Sequence, residues 1–245
     1  MSGVEVAVVL VAMLVAWTVK AVTGMGGPLI VVPVTSLFVD VETAVAVVAF
    51  PNLLSNLLLA VRERDHIAAT RDLPTLAGFG VIGAIAGGFV FVHAPEGPLV
   101  ALLVVAIVTY IVTFFAKPDL RVDPARSRRL APVVGTVGGL FQGAIGISGP
   151  IVGSWIHSYR LPRSAHVLSV TTLFFITGVA QFTVIAANGE LGGRVLVTLA
   201  ACIPVFVSVP IGTRLRSRLN RRAFDLAIIG LLCFAIVALA AKTII

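Results

Sequence analysis

Apolar residues run along this chain in long blocks separated by short polar punctuation. Seven blocks stand out, at residues 4–22, 41–61, 73–92, 99–116, 165–187, 195–211 and 223–241. An α-helix needs about 20 apolar residues to cross a ~30 Å hydrocarbon core, and these blocks match that length. The pattern predicts an all-α polytopic membrane protein. Two stretches break it in the same way. "TGMGGPLIVVP" at residues 23–33 and "IGISGPIVGSW" at residues 145–155 each insert small and polar residues and a proline into apolar sequence.

Composition sharpens this picture. The 245 residues are 58% hydrophobic and only 12% charged, with a mean hydropathy of +1.08. Soluble domains carry about 25% charged residues, so no soluble domain fits beside the apolar blocks. The N-terminus has Glu5 and no basic residue before its apolar run. A secretory signal peptide needs a positive n-region, so residues 4–22 are expected to stay in the protein. Cys202 and Cys233 fall inside apolar blocks and are expected to be packing residues; no metal-ligand spacing or cofactor motif is present.

The net charge of +7 brings nucleic acid to mind, but its distribution excludes that partner. Four short loops hold 15 of the 18 Lys and Arg: 62–72, 117–129, 159–164 and 213–222. Cytoplasmic loops are enriched in these residues, so all four are placed inside. "HAPEGP", "NGELGG" and Asp40–Glu42 are placed outside. With those sides fixed, residues 131–159 must start and end inside and form a hairpin. Its long arm is 131–145, its break 146–149 and its short arm 150–159. Residues 4–38 form the matching hairpin from outside, with arms 4–22 and 28–38. Each half is then a broken-helix hairpin plus three transmembrane helices, and the halves are inverted. The expected organisation is a first repeat at 1–116, a basic cytoplasmic linker at 117–130 and a second repeat at 131–245. Both termini fall outside. Inverted repeats with interrupted helices are a transporter architecture, with the site near the midplane.

Irregular backbone at membrane depth survives only where protein buries it or where it lines a wet cavity. Pro28 and Pro150 each follow a small-residue pair, Gly26–Gly27 and Ser148–Gly149, and proline suits the first turn of a helix. Helix starts leave N–H groups free and carry partial positive charge, and glycine lets a ligand approach closely. Two converging starts suit a small anion. The expected donors are Gly26, Gly27, Ser148 and Gly149. The competing reading is tight helix packing through small residues.

Nearby polar residues add to the candidate site. Lys20 lies one turn before Gly24, where it either faces the anion or snorkels to the surface. Gln142 is its counterpart before Gly146, and Thr23 adjoins the first break. Asn52, Ser55 and Asn56 share one helical face, with Asn52 and Asn56 as further site candidates. Thr171, Thr172 and Thr177 occupy the corresponding region, and Thr172 joins the candidates. Gln181 is expected to bond between helices. His157 and His166 are expected near the cytoplasmic face. No acidic residue lies deep in a block, which disfavours both a cation carrier and a carboxylate proton relay. The partners expected are a small anionic substrate, the lipid bilayer, a coupling ion (proton or sodium) and a further copy of the chain in a homo-oligomer.

"GISG" also matches the GxSG of rhomboid intramembrane proteases. A Ser–His dyad needs hydrogen-bond reach. His157 is nine residues beyond Ser148, about 13 Å along a helix, so no enzyme is expected. A passive anion channel of the same fold remains the alternative to a carrier.

The two Gly-rich motifs give the chain a resemblance to the sulfite/organosulfonate exporter superfamily, the TauE/SafE-like permeases (TSUP). That family has two weakly related halves, each opening with a "GxGG" motif, a short helix and a proline. "TGMGGPLIVVP" matches this pattern; in "IGISGPIVGSW" Ser148 stands where the motif has glycine. The resemblance covers the whole chain. It implies transport of sulfur oxyanions or organosulfonates across the bacterial inner membrane, with Gly24–Pro28 and Gly146–Pro150 as binding segments.

Overall fold

The computed structural model describes residues 3–116, 121–215 and Cys233. The expected span at 223–241 and most of the basic loop at 213–222 lie outside the described residues, as does Lys117. Among the described residues every regular element is helical.

Both predicted breaks are present. Helix α1 runs Gly3–Thr23 and α2 runs Gly27–Ser36. Between them Gly24 and Gly26 have φ of 86° and 101°, a region that side chains strain to adopt. Helix α6 runs Pro124–Ile145 and ends on Gly146, with φ of 72°. A π-helical turn, Gly149–Gly153, then leads directly into α7, Ser154–His157. Pro28 and Pro150 sit in the first turns of the two short arms.

Helix α3 spans Val41–Arg62 and passes through Pro51 without ending. A 3₁₀ turn at Arg64–Ala69 precedes α4, Leu73–His93, and α5 follows at Glu96–Ala116. Helix α8 covers Arg163–Ala187. Among the described residues, five segments are long and apolar enough to cross a membrane: α3, α4, α5 over Glu96–Thr113, α8, and residues 195–215.

Two boundaries differ from the sequence reading. The long arm expected from residue 131 already starts at Pro124, because the Asp123 carboxylate accepts from the Ala125 and Arg126 N–H groups and caps it there. Residues 124–130 of the expected linker are therefore helical. The block expected as one span at 195–211 is interrupted, forming α9 at Val195–Ala200 and α10 at Ile203–Leu215. Pro204 explains the interruption: it has no N–H to give the carbonyl four residues back, and its ring crowds that carbonyl.

Glycines set the closest packing. Helices α4 and α6 meet backbone to backbone. A Cβ on Gly83 would lie 2.0 Å from the Thr136 carbonyl oxygen, and one on Gly143 would lie 2.1 Å from that of Ala84. Helix α1 packs on α10 similarly, with a Cβ on Gly212 meeting the Thr18 carbonyl at 2.7 Å. Helices α3 and α8 pair with each other. Without water to drive apolar faces together, close contact of small residues holds membrane helices together.

Several connecting segments meet through side-chain bonds at two places. At one, Arg71 Nε donates to Ser127 Oγ at 3.0 Å and Arg71 Nη2 to the Val122 carbonyl at 2.9 Å. Ser127 Oγ donates to Asp72 Oδ2 at 2.6 Å, and so does the Tyr159 hydroxyl at 3.1 Å. At the other, Glu96 Oε1 accepts from the Val41 N–H at 3.4 Å. Asp40 there caps α3, accepting from the Thr43 N–H at 2.6 Å and its hydroxyl at 2.8 Å. Burial works to raise the Asp40 carboxyl, but the Thr43 hydrogen bonds outweigh it and hold it below the ordinary value.

Candidate functional site

Helix α8 shows how the two breaks stand to each other. Val167 packs on Gly24, since a Cβ there would come within 3.3 Å of it. Gln181 lies beside Gly146, 3.6 Å from where its Cβ would be. Phe174, midway between them, lines a cavity. Seven residues separate each pair, about 10 Å of helix and close to two turns, so all three share a face. The breaks also touch directly: a Cβ on Gly153 would lie 2.7 Å from Met25 Sδ.

The cavity between them is lined by Lys20, Gly26, Asn52, Gln142, Gly146, Ser148 and Gly149, all candidates from sequence. Pro28, Leu29, Ile147 and Phe174 complete it. Asn52 lies at the middle of α3 and Phe174 at the middle of α8, so the cavity stands at mid-height in both helices. Its empty volume is about 260 Å³, counting the space at its mouth, yet at most about one water fits inside at a time.

Lys20 is 1% exposed. It does not snorkel: Nζ donates to Asn52 Oδ1 and lies 5.3 Å from the Trp17 ring centroid. Asn56 Nδ2 also donates to Asn52 Oδ1, at 3.4 Å, so one oxygen serves both donors. No carboxylate pairs with Lys20 among the described residues.

The second break carries its own chain of bonds. Ser148 Oγ donates to Gln142 Oε1 at 2.9 Å. Gln142 Nε2 donates to Gln181 Oε1 at 3.0 Å, and Gln181 Nε2 to the Gly143 carbonyl at 3.3 Å. All three side chains are buried. Ser148 thus bonds to an amide, while the His157 ring faces that of His166 at 6.0 Å. The structure offers no Ser–His dyad here.

Four sequence candidates do not line the cavity. Gly24 packs on Val167. Gly27 accommodates Trp17, whose ring carbon Cζ3 would stand 2.4 Å from an added Cβ, so its bareness serves packing. Asn56 is buried behind Asn52. Thr172 is half-buried on α8, off the cavity lining. Thr23 closes α1, and its side chain lies outside the described part. Among the apolar lining residues, Pro28 and Ile147 fall within the two segments that the family resemblance implies, whereas nothing in the type of Leu29 and Phe174 distinguishes them from lipid-facing neighbours.

Comparison with known proteins bears on this geometry. No curated protein and no solved structure matches the chain. The model of the family described as sulfite exporter TauE/SafE matches residues 8–239, nearly the whole chain and both breaks. Spanning helices and an extended family match together identify a multi-pass membrane protein of the sulfite-exporter transporter type. The chain belongs to the sulfite exporter TauE/SafE family.

Proposed function

We propose that the protein is a secondary transporter of the inner membrane that moves a small sulfur oxyanion or organosulfonate through the cavity between its two helix breaks. One observation carries this reading: residues of both breaks line one cavity together with a buried lysine that has no carboxylate partner among the described residues. Lys20 supplies positive charge, and the opening turns at Gly26 and at Ser148–Gly149 supply donors. Free N–H groups and the partial positive charge of a helix start favour an anion there.

The two halves, 1–116 and 131–245, act as inverted repeats about this cavity, with the termini outside. The packing supports that exchange. Helix α1, the long arm of the first half, lies on α10 of the second; α6, the long arm of the second, lies on α4 of the first. Narrowness supports a carrier over an open anion channel. A cavity with room for about one water must widen before an oxyanion enters. No enzymatic step is part of this function.

Thermal unfolding of the detergent-purified protein tests the reading, with sulfite, thiosulfate, sulfate, sulfoacetate, taurine, chloride and acetate as probes. A ligand at 100 times its dissociation constant stabilises by about 2.7 kcal/mol. The expected result is a raised Tm with sulfur oxyanions or sulfonates that Lys20→Met and Ser148→Ala both diminish. No shift with any of these anions would refute the anion site and leave the breaks as packing devices.

A further inference from the structure

Lys20 raises a question that the anion site alone does not answer. An ammonium group withdrawn from water needs an anion, and removing that anion leaves an uncompensated buried charge. Between transport cycles the substrate is absent. The only hydrogen-bond acceptor that Lys20 Nζ has among the described residues is the neutral amide oxygen of Asn52. An amine satisfies that oxygen as well as an ammonium does, because either form donates an N–H.

Other charged and titratable groups on the surrounding elements do not supply the missing charge. Helix α2 carries none. On α3, Glu42 is ten residues from Asn52 and Arg62 is ten residues beyond it, about 15 Å each way. Arg129 on α6 is about 20 Å along the helix from Gln142. Arg214 lies in the last turn of α10. On α8, Arg163 donates from Nη2 to the Val22 carbonyl at 3.3 Å, and it is a second cation rather than a counter-charge. His166 at the same helix start faces His157 of α7.

We propose that the transporter carries one proton with each anion, on Nζ of Lys20, and is a proton–anion symporter whose proton site is a lysine. This rests on the cavity being the anion site. A proton from the entry side bonds to the Nζ lone pair, and the resulting ammonium pairs with the incoming oxyanion. On the exit side the anion leaves, the proton follows it, and the amine returns to Asn52 Oδ1. With a monovalent anion the cycle moves no net charge. The absence of acidic residues deep in the spans then ceases to exclude proton coupling, because the anion itself provides the negative partner.

The test uses methanesulfonate, with sulfate as a second probe; both stay fully ionised between pH 6 and 9, so any proton taken up goes to the protein. Proton uptake is followed by titration calorimetry in buffers of different ionisation enthalpy, alongside the Kd at each pH. Wild type is expected to take up close to one proton per anion at the alkaline end, where its affinity falls about tenfold per pH unit. Lys20→Arg, whose guanidinium stays charged, is expected to bind without proton uptake or pH dependence. Lys20→Met is expected to bind weakly at every pH, without proton uptake. Binding by wild type with no proton uptake and a flat pH profile overturns the symport and leaves the anion site standing. Wild-type proton uptake in Lys20→Met places the proton elsewhere and also overturns it. Failure of both anions to bind defeats the symport and the anion site together.

Discussion

Gly139 of α6 and Gly80 of α4 leave no room for a side chain between them: a Cβ on Gly139 would lie 2.0 Å from the Gly80 carbonyl oxygen. Backbone stands on both sides of that contact, so nothing can rotate away. Gly139→Ala is expected to destabilise at the upper end of the 1–3 kcal/mol typical of overpacking, about 3 kcal/mol. Gly153→Ala meets only the flexible end of Met25 and is expected to cost under about 1 kcal/mol. Gly78 has nothing within 4 Å of its would-be Cβ. Alanine there should stabilise by roughly 0.5–1 kcal/mol through lost chain entropy. Thermal unfolding of the three variants in one detergent gives the order directly, and equal melting temperatures would contradict the backbone-contact account.

The bond chain Ser148–Gln142–Gln181 predicts a different behaviour. Gln142→Leu removes the acceptor of Ser148 Oγ and the donor to Gln181 Oε1 in one step. Leaving a buried polar group unpaired costs about 1–3 kcal/mol. Stability is expected to fall by that order, with anion binding weakened as Ser148 loses its orientation. Gln142→Glu keeps the acceptor for Ser148 but brings negative charge to the cavity, so it is expected to weaken anion binding more than Gln142→Leu does. Parallel measurements of Tm and anion Kd check both. Tighter anion binding by Gln142→Glu would contradict a positive cavity.

Much of this site was legible because chain breaks have strong local causes. Gly24, Gly26 and Gly146 occur where the backbone turns left-handed, and Pro28 and Pro150 occur where a helix can start. Periodicity placed Lys20 and Gln142 near those breaks. It could not place their partners, because Asn52 and Gln181 come from other helices 32 and 39 positions away. Gly27 shows the same limit: its sequence neighbours mark it as a donor, and nothing near it in sequence reveals that Trp17 on the facing arm fills the space a side chain would need. The interruption before Pro204 was available in principle, since proline inside an apolar run marks a helix start as well as a kink.

At the end that the charge pattern places outside, Asp40 links stability to pH. Its hydrogen bonds to Thr43 hold its carboxyl below the ordinary value in the folded protein. Such a group stabilises above its unfolded pKa, and that contribution is lost as pH falls through the folded value. Asp40→Ala is expected to cost about 1 kcal/mol near neutrality, as loss of an N-cap does. The gap between wild type and variant should hold at pH 7 and close below about pH 4, where the ordinary Asp range ends. Unfolding curves across that range check it; a gap that widens at low pH would reverse the sign.

Elsewhere, Asp72 gathers donors from two distant parts of the chain and from its neighbour Arg71. Tyr159 and Ser127 give it hydrogen bonds, and Arg71 Nε stands 3.6 Å from Oδ2. The Arg71 guanidinium also lies over the Tyr159 ring, 4.3 Å from its centroid. Burial pushes the Tyr159 phenol above its ordinary value, and the Asp72 carboxylate adds to that rise, so the hydroxyl remains a donor at any physiological pH. Trp155 Nε1 in turn donates to the Tyr159 oxygen at 2.6 Å, tying the second short arm into the network. Groups in one network do not act additively. A cycle of Asp72→Asn, Tyr159→Phe and the double variant is therefore expected to give a coupling energy of about 0.5–3 kcal/mol. The sign is the informative part. Each single variant should lose more stability than the second change adds to the first, because either one already breaks the bond between the short arm and the α4 start. Strict additivity in thermal unfolding would mean that Tyr159 is held by Trp155 and packing alone, and that Asp72 does not bind the short arm.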